Sequence, residues 1–565
     1  MNKNLKRDNI SSNLRFRSRS KSGVQLNLAQ PGLIAGLLIS GGAGLVQAAG
    51  PVADESSRRG GLHVIDWGII AAYALLTIGL GAWFGRKQKT TQEYFVGNGD
   101  MSWLLIGVSL FATLLSSITY LSTPGEIIGK GPADLIKLLG LPIVFLIVGF
   151  GIIPVYMKHR VTSAYELLED KLGISVRLLG VVMFLALRLV WMSLLIYMAS
   201  KAMTVMMSVD EKWVPAIVLV TGLVSITYTS LGGMRAVVIT DLVQTILLLG
   251  GAMLVLIVIS VKSGGLDWFP TTWHSHWDVQ PMVSFDPKTR ITMLGSLLSL
   301  GIWYICTAGG DQVSVQRFMA TRDAAAARRS FATQLTISAM VTLTLGLVGL
   351  ALLDYYQSHP EFLTDGYTLR KDADKIFPLF IADRLVPGVS GLVVAAMFAA
   401  AMSSIDSGVN SITAVVVTDF RDRFTKRPRT NKEDLRFARL LAFTIGAIVV
   451  VGSMYMDKIP GNFFAMTNKT VNLLVPTIFC LFFFAFFVPF ANAPGVWIGW
   501  FFGVTTAVLI AFSGMFFGTD PITGYDPISF QWIGPASLLA DLGTGTLACW
   551  IFDRRKRSKS HAMEP

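Results

Sequence analysis

Residues 392–419 carry the pattern in this chain that most suggests chemistry. The run is apolar enough to cross a bilayer, yet Ser403, Ser404, Asp406, Ser407, Asn410 and Ser411 crowd its middle. At about 100° per residue, Ala400, Ser403, Ser404, Ser407, Asn410 and Ser411 fall on one stripe with Asp406 at its edge. Met402, Ile405, Val409 and Ile412 fall on the opposite face. Hydroxyls, an amide and a carboxylate form an oxygen-rich surface that suits a hard cation. A carboxylate at mid-membrane costs roughly 2.5–3.5 kcal/mol on insertion scales, so an ion or a partner must offset it. Helix–helix packing through Ser and Asn is the alternative reading of the same stripe.

Two further segments look interrupted. In 101–125, the stretch FATLLSSITYLSTPGE gathers Ser116, Ser117, Thr119, Ser122 and Thr123 ahead of Pro124-Gly125. In 291–310, GIWYICTAGGDQ ends in Gly309-Gly310 followed by Asp311-Gln312. Unwound backbone in a membrane helix exposes carbonyls to cations and a helix N-terminus to anions. The two segments are the first and sixth helices of a ten-helix block, so they take corresponding places in two five-helix halves. Paired breaks of this kind point to a transporter built from an inverted repeat.

The scaffold that must position these residues is a polytopic helical membrane protein. The chain has 565 residues, 52% hydrophobic and only 15% charged, with a mean hydropathy of +0.56. Apolar runs of membrane length recur along it, and lipid forces each to satisfy its own backbone as a helix. Residues 1–48 read as a signal peptide with a long basic n-region and a cleavage site at Val46-Gln47-Ala48; an extra helix is the alternative. Thirteen spans follow, near 64–84, 101–125, 134–157, 174–206, 213–230, 238–262, 291–310, 331–353, 388–418, 437–456, 463–489, 495–517 and 531–552. The basic loops fall on one side, which places the N-terminus outside and the C-terminus in the cytoplasm of a cell (inner) membrane protein. Arg317 is counted among those loop charges.

The net charge of +12 is spent on these loops and does not indicate nucleic acid. Cys306, Cys480 and Cys549 lie in apolar runs without metal-ligand spacing, so neither a disulfide framework nor zinc is expected. No HExxH, GxSxG or histidine cluster suggests an enzyme.

Several motifs together resemble the sodium/solute symporter family, which includes sodium–glucose, proline, iodide and sialic acid cotransporters. They are EYFVGNGDMSW (93–103), TSAYELLEDKLG (162–173), SLGGMRAVVITDLVQ (230–244), GGDQVSVQRFMATRDAAAARRS (309–330) and AAAMSSIDSGVNS (399–411). The resemblance implies an all-α, LeuT-type 5+5 inverted repeat with one helix before it and two after. The parts are a leading helix and loop (62–100), two halves (101–262 and 263–489), two trailing helices (490–552) and a basic tail (553–565).

The resemblance also implies sodium as the coupling ion and no other cofactor. Its partners are a small solute, sodium and the bilayer, with no obligate protein partner. The main sodium site it implies uses the carbonyls of Ala112, Leu115 and Ala400 and the hydroxyls of Ser403 and Ser404. A second cation site of some members would fall on Asp241, Ser403, Asp406 and Ser407. Asp406 replaces a hydroxyl there, which strengthens that site, changes it to proton coupling, or is structural.

Solute-site candidates are Ser116, Thr119, Tyr120, Trp303, Tyr304, Thr307 and Arg188. Thr307 and Tyr304 stand where sugar-transporting members have an aromatic gate and an amide, which disfavours a sugar or polyol solute. Arg188 either snorkels to the surface, pairs internally, or meets a substrate anion. The function expected is sodium-coupled uptake of a small carboxylate-bearing solute of the sialic acid or monocarboxylate type by alternating access. Sodium/sugar or polyol symport, proton coupling and a transporter-like sensor are the alternatives. Glu126, Asp134 and Lys137 are expected to be solvated at the outer mouth.

Overall fold

The computed structural model describes residues 61–87, 94–95 and 101–561 apart from 115–116, 160, 162, 364–365, 422, 424–429, 459–461 and 522–523. The signal-peptide reading of residues 1–48 lies outside them. Every regular element among the described residues is helical, apart from one isolated bridge between Met101 and Thr321.

A leading helix α1 (Val64–Lys87) is followed by the pair α2 (Trp103–Leu114) and α3 (Ser117–Lys130). Next come a mixed helical span α4 (Pro132–His159), then α5 (Ile174–Met206), α6 (Val214–Lys262), α7 (Met293–Gly310), α8 (Gln312–Met319) and α9 (Ala324–Ser358). The rest are α10 (Ala373–Arg384), α11 (Val389–Val415), α12 (Asn431–Ser453), α13 (Phe463–Asn472), α14 (Val475–Phe487), α15 (Ala493–Ala511) and α16 (Ile533–His561).

Ten helices among the described residues are long and apolar enough to cross a membrane, or eleven if α2 and α3 count as one span. The expected thirteen is not reached. The count takes the runs at 213–230 and 238–262 together as α6, although non-helical backbone at Gly233 divides α6 into the two helices expected there, and α16 carries Asp541, which lowers its hydropathy. Within α6 the chain breaks at Gly233, whose φ of 58° is the left-handed region open to glycine.

Both expected interruptions are present. The pair α2–α3 bends by 56°, with Leu115 and Ser116 at the bend outside the described residues. Between α7 and α8, Asp311 is extended and caps α8 by accepting the Val313 N–H at 3.0 Å. The unwinding carbonyls are not left bare. Tyr156 donates to Gly309 O at 2.6 Å and Tyr165 to Gly310 O at 3.2 Å. Glycine is needed at 310 because a Cβ there would stand 2.8 Å from the Phe479 Cα on α14.

The helix α11 is the axis of the bundle, with every residue from Val393 to Val415 buried. Its polar stripe therefore has to be satisfied by protein or ion. The leading helix sets its start. Asp66 on α1 is buried and accepts N–H groups of Gly388 at 2.7 Å and Gly391 at 2.8 Å, as well as His63 at 2.9 Å. One carboxylate thus satisfies two of the donors at the start of α11, and the Val386 carbonyl accepts the N–H groups of Val389 and Ser390.

Replacing Asp66 by Ala should leave two N–H groups of α11 without an acceptor, at a cost of roughly 1–3 kcal/mol for each buried unsatisfied group. The expected result is a melting temperature in detergent lowered by several degrees, with Asp66→Asn, which keeps one acceptor oxygen, losing less. A melt of Asp66→Ala that overlays the parent would show that α11 needs no such anchor.

Candidate functional site: a polar centre and a neighbouring cavity

The stripe of α11 meets three neighbours at different heights. Ser404 donates to the Thr113 carbonyl on α2 at 3.1 Å, and the hydroxyls of Thr113 and Ser407 are 2.7 Å apart. Ser403 donates to Asp241 Oδ1 on α6 at 2.5 Å, and Ser109 on α2 donates to Asp241 Oδ2 at 2.5 Å. Ser411 donates to Gln316 Oε1 on α8 at 2.7 Å. Ser403 and Ser404 thus face α6 and the end of α2, and Ala112 and Ala400 are buried on the two helices that meet there. Leu115, the fifth residue expected there, is outside the described residues.

Asp241, Ser403 and Ser407 also converge, but Asp406 looks the other way. Its carboxylate accepts hydroxyls of Tyr228 and Thr229 and, at 3.5 Å, Ser225, all on the first half of α6. Arg317 is a residue the sequence reading misplaced. The end of the apolar run at Gly310 suggests a loop charge, yet α8 carries the chain inward and the Arg317 side chain is fully buried. The signal was present in the spacing: Val313, Val315, Phe318 and Met319 surround it as a buried helix would. Its Nη2 donates to Ser407 at 2.5 Å and lies 3.8 Å from Asp241, and its Nε donates to Ser109 at 3.0 Å.

A cavity of about 140 Å³ is lined by Thr119, Ser122, Trp191, Trp303, Tyr304, Asn468 and others. A smaller space of about 20 Å³ is lined by Thr113, Arg188, Thr307 and Asp311, and Leu114, Trp191, Trp303 and Val471 line both spaces. Of the solute candidates, Thr119, Trp303 and Tyr304 reach the larger cavity, and Arg188, Trp303 and Thr307 the smaller one. Tyr304 shares a 2.7 Å hydroxyl contact with Ser338. Thr307 Oγ1 and Trp303 Nε1 have no partner among the described residues. Ser116 is outside them. Tyr120 does not line either space: its ring is buried against Phe377 at 5.5 Å, and its hydroxyl lies over Gly251.

Arg188 does not snorkel. It is 5% exposed and forms an ion pair with Asp311, the residue that caps α8. Its Nε–H has no partner among the described residues.

The charges expected to be solvated at the mouth are also engaged. Glu126 is buried and accepts both Nη1 (2.5 Å) and Nη2 (2.8 Å) of Arg290, the bidentate geometry that guanidinium and carboxylate favour. Lys137 pairs with Asp134 and lies 5.3 Å from the Phe464 ring centre. On α10, burial pushes the Asp374 carboxyl up to about 6 while its Oδ2 accepts the Phe463 N–H at 2.9 Å. At the other end, Arg423 and Arg177 hold Glu169 below the ordinary carboxylate range.

The sodium:solute symporter family matches residues 94–503, well over half of the chain. The chain belongs to the sodium:solute symporter family. Among similar relatives, the sodium/sialic acid symporter SiaT of Proteus mirabilis is 29% identical over 87% of this chain and 96% of its own. The sodium/sialic acid symporter NanT of Aliivibrio fischeri is 30% identical over 79% of this chain and 86% of its own. A solved, substrate-bound, outward-open structure of a sodium-coupled sialic acid symporter superposes with a TM-score of 0.73 at 26% identity, covering 86% of this chain and 98% of that one. This symporter therefore has the LeuT-type helical fold expected of it, and sodium-coupled solute transport is its activity.

Within that activity, the geometry makes Asp406 an anchor between α11 and α6. In Asp406→Asn the amide would turn a donor toward hydroxyls that already donate. We expect a loss of roughly 1–3 kcal/mol of stability with sodium half-saturation within about two-fold of the parent. A large shift in sodium affinity at unchanged stability would instead make Asp406 a ligand.

Proposed function

We propose that this symporter takes up a small carboxylate-bearing solute, of the sialic acid or monocarboxylate type, across the cell membrane. The observation that carries the reading is Arg188 in the lining of the smaller space, which shares walls with the larger cavity, with its Nε–H unpartnered among the described residues. Asp311 lowers the cost of burying the guanidinium while leaving donors for a second carboxylate. The polar groups of the larger cavity, Thr119, Ser122 and Asn468, suit a hydroxylated or amide-bearing body, and Trp303 and Trp191 offer apolar faces. That both relatives and the solved neighbour are named for sialic acid is consistent with this chemistry.

Sodium would be held between α2 and α11 by the Ala112, Leu115 and Ala400 carbonyls and the Ser403 and Ser404 hydroxyls. A serine that donates its proton to Asp241 or to Thr113 O still has oxygen lone pairs to offer a cation. In the orientation that the basic loops imply, the N-terminus is outside and the basic tail is cytoplasmic.

Uptake into proteoliposomes of a labelled panel (a sialic acid, short monocarboxylates, neutral sugars and polyols) under sodium, lithium, potassium or proton gradients tests this. Carboxylate uptake driven by sodium is expected. Arg188→Gln should raise the solute half-saturation by two orders of magnitude or more, since losing one partner of a buried charge contact costs about 3–5 kcal/mol. A neutral sugar as the solute, or normal transport by Arg188→Gln, would contradict the proposal. Ser403→Ala combined with Ser404→Ala should insert normally but lose nearly all sodium-driven uptake; unchanged sodium dependence would move the ion elsewhere.

A further inference from the structure

A third and wider space, of about 730 Å³, opens beside the chain that leads into α16. It lies at the end of the bundle opposite the basic tail, the outer end in the orientation proposed above. Its walls come from the end of α3, the loop between α6 and α7, the loop before α10, the first turns of α13 and the chain between α15 and α16. Six basic side chains line it: Lys130, Lys288, Arg290, Arg370, Lys371 and Lys469. Asp374 and Asp526 are the acidic residues in the same lining.

Most of these cations are already engaged. Arg290 pairs with Glu126, Lys469 with Asp526 at 2.5 Å and Arg370 with Asp278 at 3.3 Å. Lys130 donates to the Tyr525 hydroxyl at 2.5 Å, which in turn donates to Asp278 at 3.0 Å. Lys288 and Lys371 are different: both are exposed, and neither has an ion-pair partner among the described residues. Phe530 lines both this vestibule and the cavity of about 140 Å³, and the Arg290 guanidinium lies 5.3 Å from its ring centre.

We infer that the vestibule is an anion-binding station, where Lys288 and Lys371 gather a small carboxylate before it reaches the inner cavity. The inference rests on the carboxylate reading of the solute.

A concave wall with an excess of one charge, set over low-dielectric protein, focuses its field and raises encounter rates by about 10–10³-fold. That field reaches only about 8 Å at physiological ionic strength, so it acts inside the vestibule and fades with added salt. Sodium has the same sign as the wall and gains nothing from it. An ion abundant outside the cell needs no gathering, whereas a scarce organic anion does. Two exposed ammonium groups hold a carboxylate weakly, which lets the solute move on rather than stay.

Two measurements on the full-length chain in proteoliposomes test this. The first needs no knowledge of the solute. Cys306, Cys480 and Cys549 are buried, so a thiol placed by Thr519→Cys on the exposed wall reports the local potential. After correction for their rates with a free thiol, an anionic methanethiosulfonate reagent should modify it about ten-fold faster than a cationic one. Lys288→Gln with Lys371→Gln should remove most of that preference, as should high ionic strength. No preference in Thr519→Cys alone, or one unchanged by the two glutamines, overturns the inference and leaves the carboxylate reading standing. The second is uptake of a labelled sialic acid and of a short monocarboxylate at fixed sodium. At low ionic strength Lys288→Gln with Lys371→Gln should raise the half-saturation several-fold, with maximal rate and sodium half-saturation unchanged. At high ionic strength variant and parent should converge. Equal half-saturations at low ionic strength overturn the inference. Uptake of neutral solutes alone, with the thiol preference intact, brings down the carboxylate reading and the station's role with it.

Discussion

A carboxylate buried at the centre of a helical bundle imposes conditions on everything around it. Asp241 has no access to water, so its charge must be met by protein or by an ion. Ser109 from α2, Ser403 from α11 and Arg317 from α8 meet it, which joins both interrupted segments to the central helix at one point. Removing one member of such a set typically costs about 3–5 kcal/mol because the other charge remains buried. The cooperation of α2, α6, α8 and α11 is thus electrostatic before it is a matter of packing. The surrounding apolar faces exclude the water that would otherwise weaken it.

The space lined by Arg188 and Asp311 depends on the same break before α8 from its other side. Asp311 begins the new helix with one carboxylate oxygen and holds Arg188 with the other. The groups that would recognise a solute anion and those that satisfy Asp241 therefore sit at opposite ends of a short helix, from Asp311 to Arg317. A shift of α8 on filling the cavity would be felt at Asp241 within six residues. Coupling between solute and ion needs an element whose position both ligands bias, and α8 is placed to be that element.

Much of this was legible in the residues. The polar stripe from Ala400 to Ser411, the two interrupted segments and the long apolar runs are one-dimensional patterns, and periodicity reads such patterns well. What escaped was the path of the chain after a break. Arg317 follows an apolar run that stops at Gly310, and a short helix that re-enters the bundle looks in sequence like the start of a basic loop. Asp406 stood on the edge of the cation stripe, but which neighbour it faces depends on the rotation of α11 against α6, and spacing along one helix does not report that. Glu126 was read as solvated because its partner Arg290 lies 164 positions away. Long-range pairing of this kind leaves no local trace.

The central claim is that sodium binds where α2 ends against the serine stripe of α11 and that this contact orders the transporter. Hydrogen–deuterium exchange of the purified protein in sodium against potassium measures it most directly. The account predicts slowed exchange confined to amides around residues 110–120 and 400–411 in sodium, absent when Ser403 and Ser404 are both alanine. Protection that is missing there, or that appears only at distant segments while these two exchange alike in both salts, would contradict it.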